Sequence, residues 1–414
     1  MQDLRRKVEA ELVNGILPFW LNHTIDEQYG GFRGQIANDL TSDPQAPKGL
    51  ILNARILWTF SKAFSVYRNP LYLAAARRAY DYISRFFWDR DFGGVYWMLD
   101  CEGRPLDTKK RIYGQAFTVY ALAEYGHATG DPEAAARALR LMEQIETAGH
   151  DDQHGGYFET YERDWTLAVD QRLSEVDMDE KKSMNTHLHL LEAYAALLRL
   201  REEPTVRFRL RELIEIFLRR ILDPATRHFI LFFDELWLPR SNKVSFGHDI
   251  EGSWLLCEAA EILGDAELLA RVRTVAVQMA AAVLEQGIDA DGGLLYEADP
   301  TGIIDSDKHW WPQAEAVVGF LNAWQLSGQH RFLRAAERSW AFIETFIVDS
   351  QHGEWFWLVS KSGQPGADLD KVGPWKCPYH NSRACFEAME RLDRAQRAPR
   401  LTQATEEATT GEQK

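Results

Sequence analysis

Residues 89–97, DRDFGGVYW, read as an acidic turn entry, a glycine pair and a short aromatic and β-branched strand, and they decide the fold because the same mark recurs. It returns as DEQYGGF from Asp26, DDQHGGYFE from Asp151, DADGGLLYE from Asp289 and a degenerate DSQHGEWFW from Asp349. DPATRHFILF, from Asp223, fills the remaining place without its glycines. The intervals between these six aspartates are 63, 62, 72, 66 and 60 residues, too regular for chance and too long for the common solenoid units. Six homologous units are implied.

Each mark follows a helical stretch with apolar residues at three-to-four spacing, such as YLAAARRAYDYISRFFW before Asp89. A second helix follows in every unit: LILNARILWTFSKAF from Leu50, IYGQAFTVYALAEYG from Ile112, MNTHLHLLEAYAALL from Met184, HDIEGSWLLCEAAEIL from His248, WWPQAEAVVGFLNAW from Trp310 and YHNSRACFEAMERL from Tyr379. These are apolar on most sides, so they should be buried on most sides. Six pairs of one amphipathic and one buried helix predict an all-α fold, an (α/α)6 barrel with short β-hairpins in its connecting loops, as a single domain over residues 1–393. An open superhelix of the same pairs is the alternative. Residues 394–414, polar and aperiodic from Gln396 onward, are expected to form a disordered tail.

Composition narrows the function. Against 47 Lys plus Arg stand 62 Asp plus Glu, and the formal charge of -15 repels phosphate backbones and anionic membranes alike. Neither nucleic acid nor membrane is an expected partner. No run reaches membrane-spanning length. The first twenty residues lack the apolar core and cleavage site of a signal peptide. Cys101, Cys257, Cys377 and Cys385 form no CxxC pair. A cytoplasmic protein with reduced thiols is expected. The 14 Trp, 14 Tyr and 21 Phe fit sugar-stacking surfaces, and equally fit a large core.

The informative residues stand near the start of each second helix: Arg55, Tyr113, Asn185 with His189, His248 with Glu251, Trp311 with Glu315, and His380. If all six inner helices point the same way, these converge on one mouth of the barrel and form a pocket, with helix N-termini adding partial positive charge. His248 and Glu251, three apart, are expected on one helix face, with the carboxylate orienting the imidazole. His187 and His189 resemble a metal pair, but two residues on a helix turn through about 200°, so one should face inward and the other pack between helices. No metal is expected. The chain also lacks HExxH, an EF-hand loop, a phosphate-binding glycine loop and GxSxG.

With these residues in place, the chain resembles the N-acylglucosamine 2-epimerase superfamily, and within it the cellobiose 2-epimerases. The resemblance runs to about Arg394 and is carried by MNTHLHLLEAY, GHDIEGSWLL, HWWPQAEA and PWKCPYHNSR. It implies His248 and His380 as the acid/base pair, Arg55 as a ligand of the reacting sugar's oxygens, and His189 as an aid to proton movement at O1 or ring opening. It further implies Glu251 supporting His248, Tyr113 and Asn185 as polar wall groups, and Trp254, Trp311, Glu315 and Trp375 shaping the sugar subsites. Neither metal nor redox cofactor is implied. The expected reaction inverts C2 of the reducing-end glucose of a β-1,4-linked disaccharide such as cellobiose or lactose, by deprotonation to an enediolate and reprotonation on the other face. The expected protein is a monomer. Mannose isomerase or monosaccharide 2-epimerase activity on the same fold is the alternative. More distant rivals are an inverting glycoside hydrolase using Glu251 and Glu315, and an aromatic-lined sugar-binding protein.

Overall fold

The computed structural model describes the backbone of residues 1–366 and 368–410 and the side chains through 397. Helices alternate between two layers. The outer layer holds α1 (Gln2–Glu11) with α2 (Leu17–His23), α4 (Pro70–Tyr82), α6 (Pro132–Gly149), α8 (Pro204–Ile216), α10 (Ala266–Gln286) and α12 (His330–Phe342). The inner layer holds α3 (Leu50–Tyr67), α5 (Ile112–Thr129), α7 (Met184–Leu200), α9 (Phe246–Leu263), α11 (Trp310–Ser327) and α13 (Tyr379–Thr410). Consecutive inner helices pack side by side, and α13 packs back onto α3, so the ring closes as the (α/α)6 barrel predicted from the repeat. The tail expected over 394–414 falls on the end of α13 and on residues outside those described.

Local chemistry sets the helix ends. Pro70, Pro132 and Pro204 sit in the first helical turn, where a missing N–H costs nothing, and Asn69 and Asp131 cap α4 and α6 by accepting from Leu71 and Glu133 N–H. The inner helices α5, α9 and α11 stop at Gly130, Gly264 and Gly328, each left-handed. In α5 every residue from Ile112 to Gly126 is buried, as a helix enclosed by other helices requires.

The six sequence marks are six copies of one turn. In each, the aspartate N–H donates to a carbonyl four or five residues on and its own carbonyl accepts from the residue just before that. The glycine pairs at 30–31, 93–94 and 155–156 have positive φ; in the degenerate units Arg227 (φ 67) and Glu354 (φ 60) take left-handed positions instead. Five of the turn carboxylates grip a buried lysine ahead of an inner helix: Asp26–Lys48, Asp89–Lys110, Asp151–Lys182, Asp289–Lys308 and Asp349–Lys371, at 2.6–2.9 Å. Val244 stands in the lysine's place before α9, in the unit that also lost its glycines.

The two residues before each of the first five inner helices pair antiparallel with a strand of the next unit, such as Lys48–Gly49 with Met98–Leu99 and Lys308–His309 with Leu358–Val359. A bridge between Ile36 and Val372 completes the circle. All six inner-helix starts are thereby stitched together at one end of the barrel.

Closure of first unit on last runs through a buried carboxylate. Glu354, fully buried, accepts from Trp20 Nε1 of α2 (2.8 Å), Lys376 Nζ (2.8 Å) and Asn381 Nδ2 of α13 (2.7 Å). Removing one partner of a buried ion pair strands the other charge. Glu354→Ala is therefore expected to destabilise the protein by about 3–5 kcal/mol in urea unfolding, and Glu354→Gln by less. A change for the alanine variant of under about 1 kcal/mol, the scale of an exposed pair, would contradict a closing role.

Candidate active site

Helical register decides which side chains meet on the axis. Five positions into each inner helix stand Arg55, Phe117, His189, Glu251 and Glu315, and Arg383 holds the same place counted from Pro378, whose carbonyl accepts the first helical bond of the last unit, from Ser382 N–H. These groups touch across helices: Arg55 lies 4.4 Å from the Phe117 ring and Phe117 4.5 Å from the His189 ring. Three positions in, the side chains turn the other way and clamp their own unit's turn. Gln115, His187 Nε2, Asp249 and Gln313 accept from the N–H groups of Val95, Tyr157, Phe229 and Leu294 at 2.7–3.0 Å. His187 and His189 thus point apart, one packed and one inward, as the helix geometry requires.

Arg383 is the hub. Its guanidinium donates to Glu192, Glu251 and, at 2.7 Å, Glu315, and every one of these side chains is at most 2% exposed. Glu315 Oε1 also meets His380 Nδ1 at 2.7 Å, and Glu192 Oε2 meets His189 Nδ1 at 3.1 Å. Two of the three axial histidines are thus each backed by a carboxylate on the same arginine. Burial alone would raise the Glu192 carboxyl, but Arg383 and His189 hold it down at about 2. Burial, then the neighbouring Glu315 charge, raises Glu251.

His248 is held differently. Its Nδ1 lies 2.7 Å from Ser245 Oγ, and Glu251 turns to Arg383, so the expected orientation of His248 by Glu251 is corrected. The H-x-x-E spacing does produce a pair, but at His189 and Glu192. Trp311 packs on both His248 and His380, ring centroids 4.6 and 5.5 Å away, and so fixes the spacing of the two imidazoles. Gly247 permits this: a Cβ there would lie 2.5 Å from the Trp311 ring. Burial lowers all three imidazoles, His248 to about 3.

Arg55, 3% exposed, has no carboxylate partner among the described residues. It donates to Tyr113 OH (3.0 Å) and Cys377 Sγ (3.6 Å), faces the Phe117 and Tyr379 rings, and leaves Nε unpaired. Asn185 Oδ1 and Glu251 Oε2 are likewise buried without a partner. A cation without its anion, beside unpaired polar atoms, is a site built for a polar ligand.

At the mouth, Trp375 is half-buried between Trp97 and Tyr113, each 5.7 Å away by ring centroid. Beside it opens a cavity of about 300 Å³ lined by Trp97, Arg111, Asp170, Ser174 and Trp375. No axial histidine lines this cavity; Tyr113 connects the two regions, its ring 5.0 Å from His189.

Of the residues read from sequence, Arg55, Tyr113, Asn185, His189, His248, Glu251, Trp311, Glu315, Trp375 and His380 belong to this end of the barrel. Two expectations about the walls are corrected. Glu315 has both oxygens engaged, Oε2 accepting from Trp254 Nε1 at 3.0 Å, so it supports His380 rather than facing sugar. Trp254 is 1% exposed and lies under the guanidiniums of Arg383 and Arg391. Glu192, Tyr379, Arg383 and Ser245 were not anticipated. Glu251, Glu315 and His380 bring ligand atoms within 4.8 Å of one another, the geometry of a metal site, but Arg383 already donates to Oε1 of both carboxylates, so a cation there would lie against a guanidinium.

Residues 30–384 match the family model described as N-acylglucosamine 2-epimerase (GlcNAc 2-epimerase). The cellobiose 2-epimerase of Bacteroides fragilis is 46% identical over 93% of this chain and 98% of its own. The structure of cellobiose 2-epimerase from Spirochaeta thermophila is 43% identical, covers 95% of this chain and 98% of its own, and superposes with a TM-score of 0.88. That from Bacillus thermoamylovorans gives 38%, 94%, 100% and 0.90. A D-mannose isomerase structure, 20% identical with a TM-score of 0.81, shares the fold.

Because its folded value near 3 lies below the ordinary 6.5, His248 should stay uncharged as pH falls from 8 to 5, while the unfolded chain takes up that proton near 6.5. This residue's contribution to stability therefore declines as pH drops below 6.5. NMR of ¹⁵N-histidine protein, with His248 assigned by substitution, should show a flat folded-state titration over that window and a midpoint near 6.5 in urea. A folded-state midpoint at 6.5 would contradict a neutral, desolvated imidazole at His248.

Proposed function

The chain belongs to the N-acylglucosamine 2-epimerase family and is a sugar 2-epimerase, and we propose that it inverts C2 of the reducing-end glucose in β-1,4-linked disaccharides such as cellobiose and lactose. The single observation that carries the reading is Arg55: a buried guanidinium with no carboxylate partner among the described residues, at the same end of the barrel as the imidazoles of His189, His248 and His380.

The chemistry follows from the groups present. Ring opening exposes an aldehyde, which makes the C2 proton weakly acidic. One imidazole of the His248–His380 pair takes that proton, and the electron pair moves onto O1 as the enediolate forms. Arg55 stabilises the charge gathering on O1 and O2. The other ring, which enters the step as imidazolium, returns its proton to the opposite face of C2 and becomes neutral, giving the mannose-ended epimer. Glu315 carries the positive charge of His380 when that ring is protonated, and His189, backed by Glu192, serves proton movement at O1. Asn185 Oδ1, Glu251 Oε2 and the Tyr113 hydroxyl are the groups open to sugar hydroxyls.

A second sugar unit fits the mouth. The Trp97–Trp375 pair and the cavity beside it offer an apolar platform with polar rims, which supports the disaccharide reading over a monosaccharide epimerase or mannose isomerase. A hydrolase reading is disfavoured, because Glu251 and Glu315 share one guanidinium nitrogen instead of flanking a glycosidic bond. We also read residues 1–393 as one catalytic domain, active as a monomer in the cytoplasm without nucleic acid. The net charge of -15 supports the reading without nucleic acid, and the four free cysteines fit the cytoplasm.

Incubation with cellobiose in D2O should give the mannose-ended epimer carrying deuterium at C2, and His248→Ala and His380→Ala should each lower turnover by at least about 10²-fold. Glucose as product, or an epimer without deuterium at C2, would overturn the reading. Trp375→Ala should cost about 1–3 kcal/mol of binding for cellobiose, by analogy with other aromatic stacking sites, and largely spare glucose or mannose where these react. Equal losses on disaccharide and monosaccharide, with a lowered Tm, would instead assign Trp375 to packing at the entry of α13.

A further inference from the structure

We propose that Ser245 is a positioning residue that holds His248 by Nδ1, in both the neutral Nδ1–H ring and the imidazolium. The inference rests on the reading of His248 as one of the two proton-transfer groups. Ser245 is the N-cap residue of α9, is 3% exposed, and makes no capping bond with its side chain. The same position in α7 is also serine, and there Ser183 caps in the ordinary way, accepting from Thr186 N–H at 3.1 Å. At α9 the hydroxyl is instead 2.7 Å from His248 Nδ1. A favourable cap is forgone, and what replaces it is a bond to one imidazole.

The choice of a neutral partner sets His248 apart. His189 and His380 are each bonded to a carboxylate, Glu192 and Glu315, which accepts from Nδ1–H and stabilises the imidazolium. The charged or titratable groups acting on His248 are His189 of α7 and Glu315 of α11, and neither is bonded to it. Ser245 Oγ accepts when the proton is on Nδ1, which aims the Nε2 lone pair into the site. In the forward step Nε2 takes the C2 proton, the ring becomes imidazolium, and Nδ1–H still donates to Ser245 Oγ; no proton passes to the serine. In the reverse step the imidazolium gives back the proton from Nε2 and the same Nδ1–H···Oγ bond persists. With Trp311 against one face of the ring, this bond fixes the remaining rotation.

The test compares Ser245→Ala, Ser245→Thr, His248→Ala and the double variant Ser245→Ala/His248→Ala, each full-length, with cellobiose as substrate. Ser245→Ala should lower kcat by about 10- to 100-fold, by analogy with the loss of outer partners of metal-ligating histidines, with KM unchanged. Ser245→Thr, which keeps the hydroxyl, should recover most of that loss. The double variant should be no slower than His248→Ala, because the serine acts only through the ring. Wild-type kcat in Ser245→Ala beside an inactive His248→Ala overturns the serine's role alone. So does a double variant in which the two losses multiply, or a threonine variant as slow as the alanine one. A fully active His248→Ala removes the histidine reading and the serine's role with it.

Discussion

The guanidinium of Arg383 answers three buried carboxylates, Glu192, Glu251 and Glu315, and the order of the reacting groups depends on it. Taking a carboxylate out of water costs several kcal/mol, so three of them in a barrel interior persist only around a cation held among them. Once so held, two of the carboxylates become fixed points from which His189 and His380 are hung by Nδ1. The arginine touches neither the mouth nor, in the proposed chemistry, the sugar. Its work is to place the groups that do.

The barrel supplies this arrangement by repetition and the site by departures from it. Every unit repeats the aspartate turn, and five repeat the buried aspartate–lysine pair. That framework fixes the height of each inner-helix start, so one helical register brings Arg55, His189, Glu251, Glu315 and Arg383 to a common level. The chemistry lies where equivalent positions have diverged. Ser183 caps its helix whereas Ser245 does not, and the ring position that is phenylalanine in α5 is charged or imidazole elsewhere.

Much of this was legible in the sequence. The fold followed from the recurring glycine mark and the apolar second helices, and His248, His380, Arg55 and Trp375 were visible as polar or aromatic residues at helix starts. The pairing was less legible. H-x-x-E occurs at 189–192 and at 248–251, and local spacing cannot say that the first makes a bond while Arg383, far along the chain, draws the carboxylate of the second away. Arg383 itself sits in an unremarkable HNSR run. Lining up the sixth residue of every inner helix would have singled it out, but the last helix begins with Pro378 outside its regular span, which shifts the count by one. Trp254 and Glu315 read as sugar walls because both are large or polar and near helix starts; only the packing shows Glu315 bonded to His380 and Trp254 bonded to Glu315.

The central claim is that C2 of an open-chain sugar lies between the His248 and His380 rings, with O1 and O2 toward Arg55. The most direct measurement is a crystal structure with cellobiitol, the reduced open-chain disaccharide. The account predicts an imidazole nitrogen of His248 and of His380 within about 3.5 Å of C2 on opposite faces, the separation of a reacting pair, and the Arg55 guanidinium on the neighbouring oxygens. Both imidazoles on one face of C2, or C2 bound away from either ring, would contradict it.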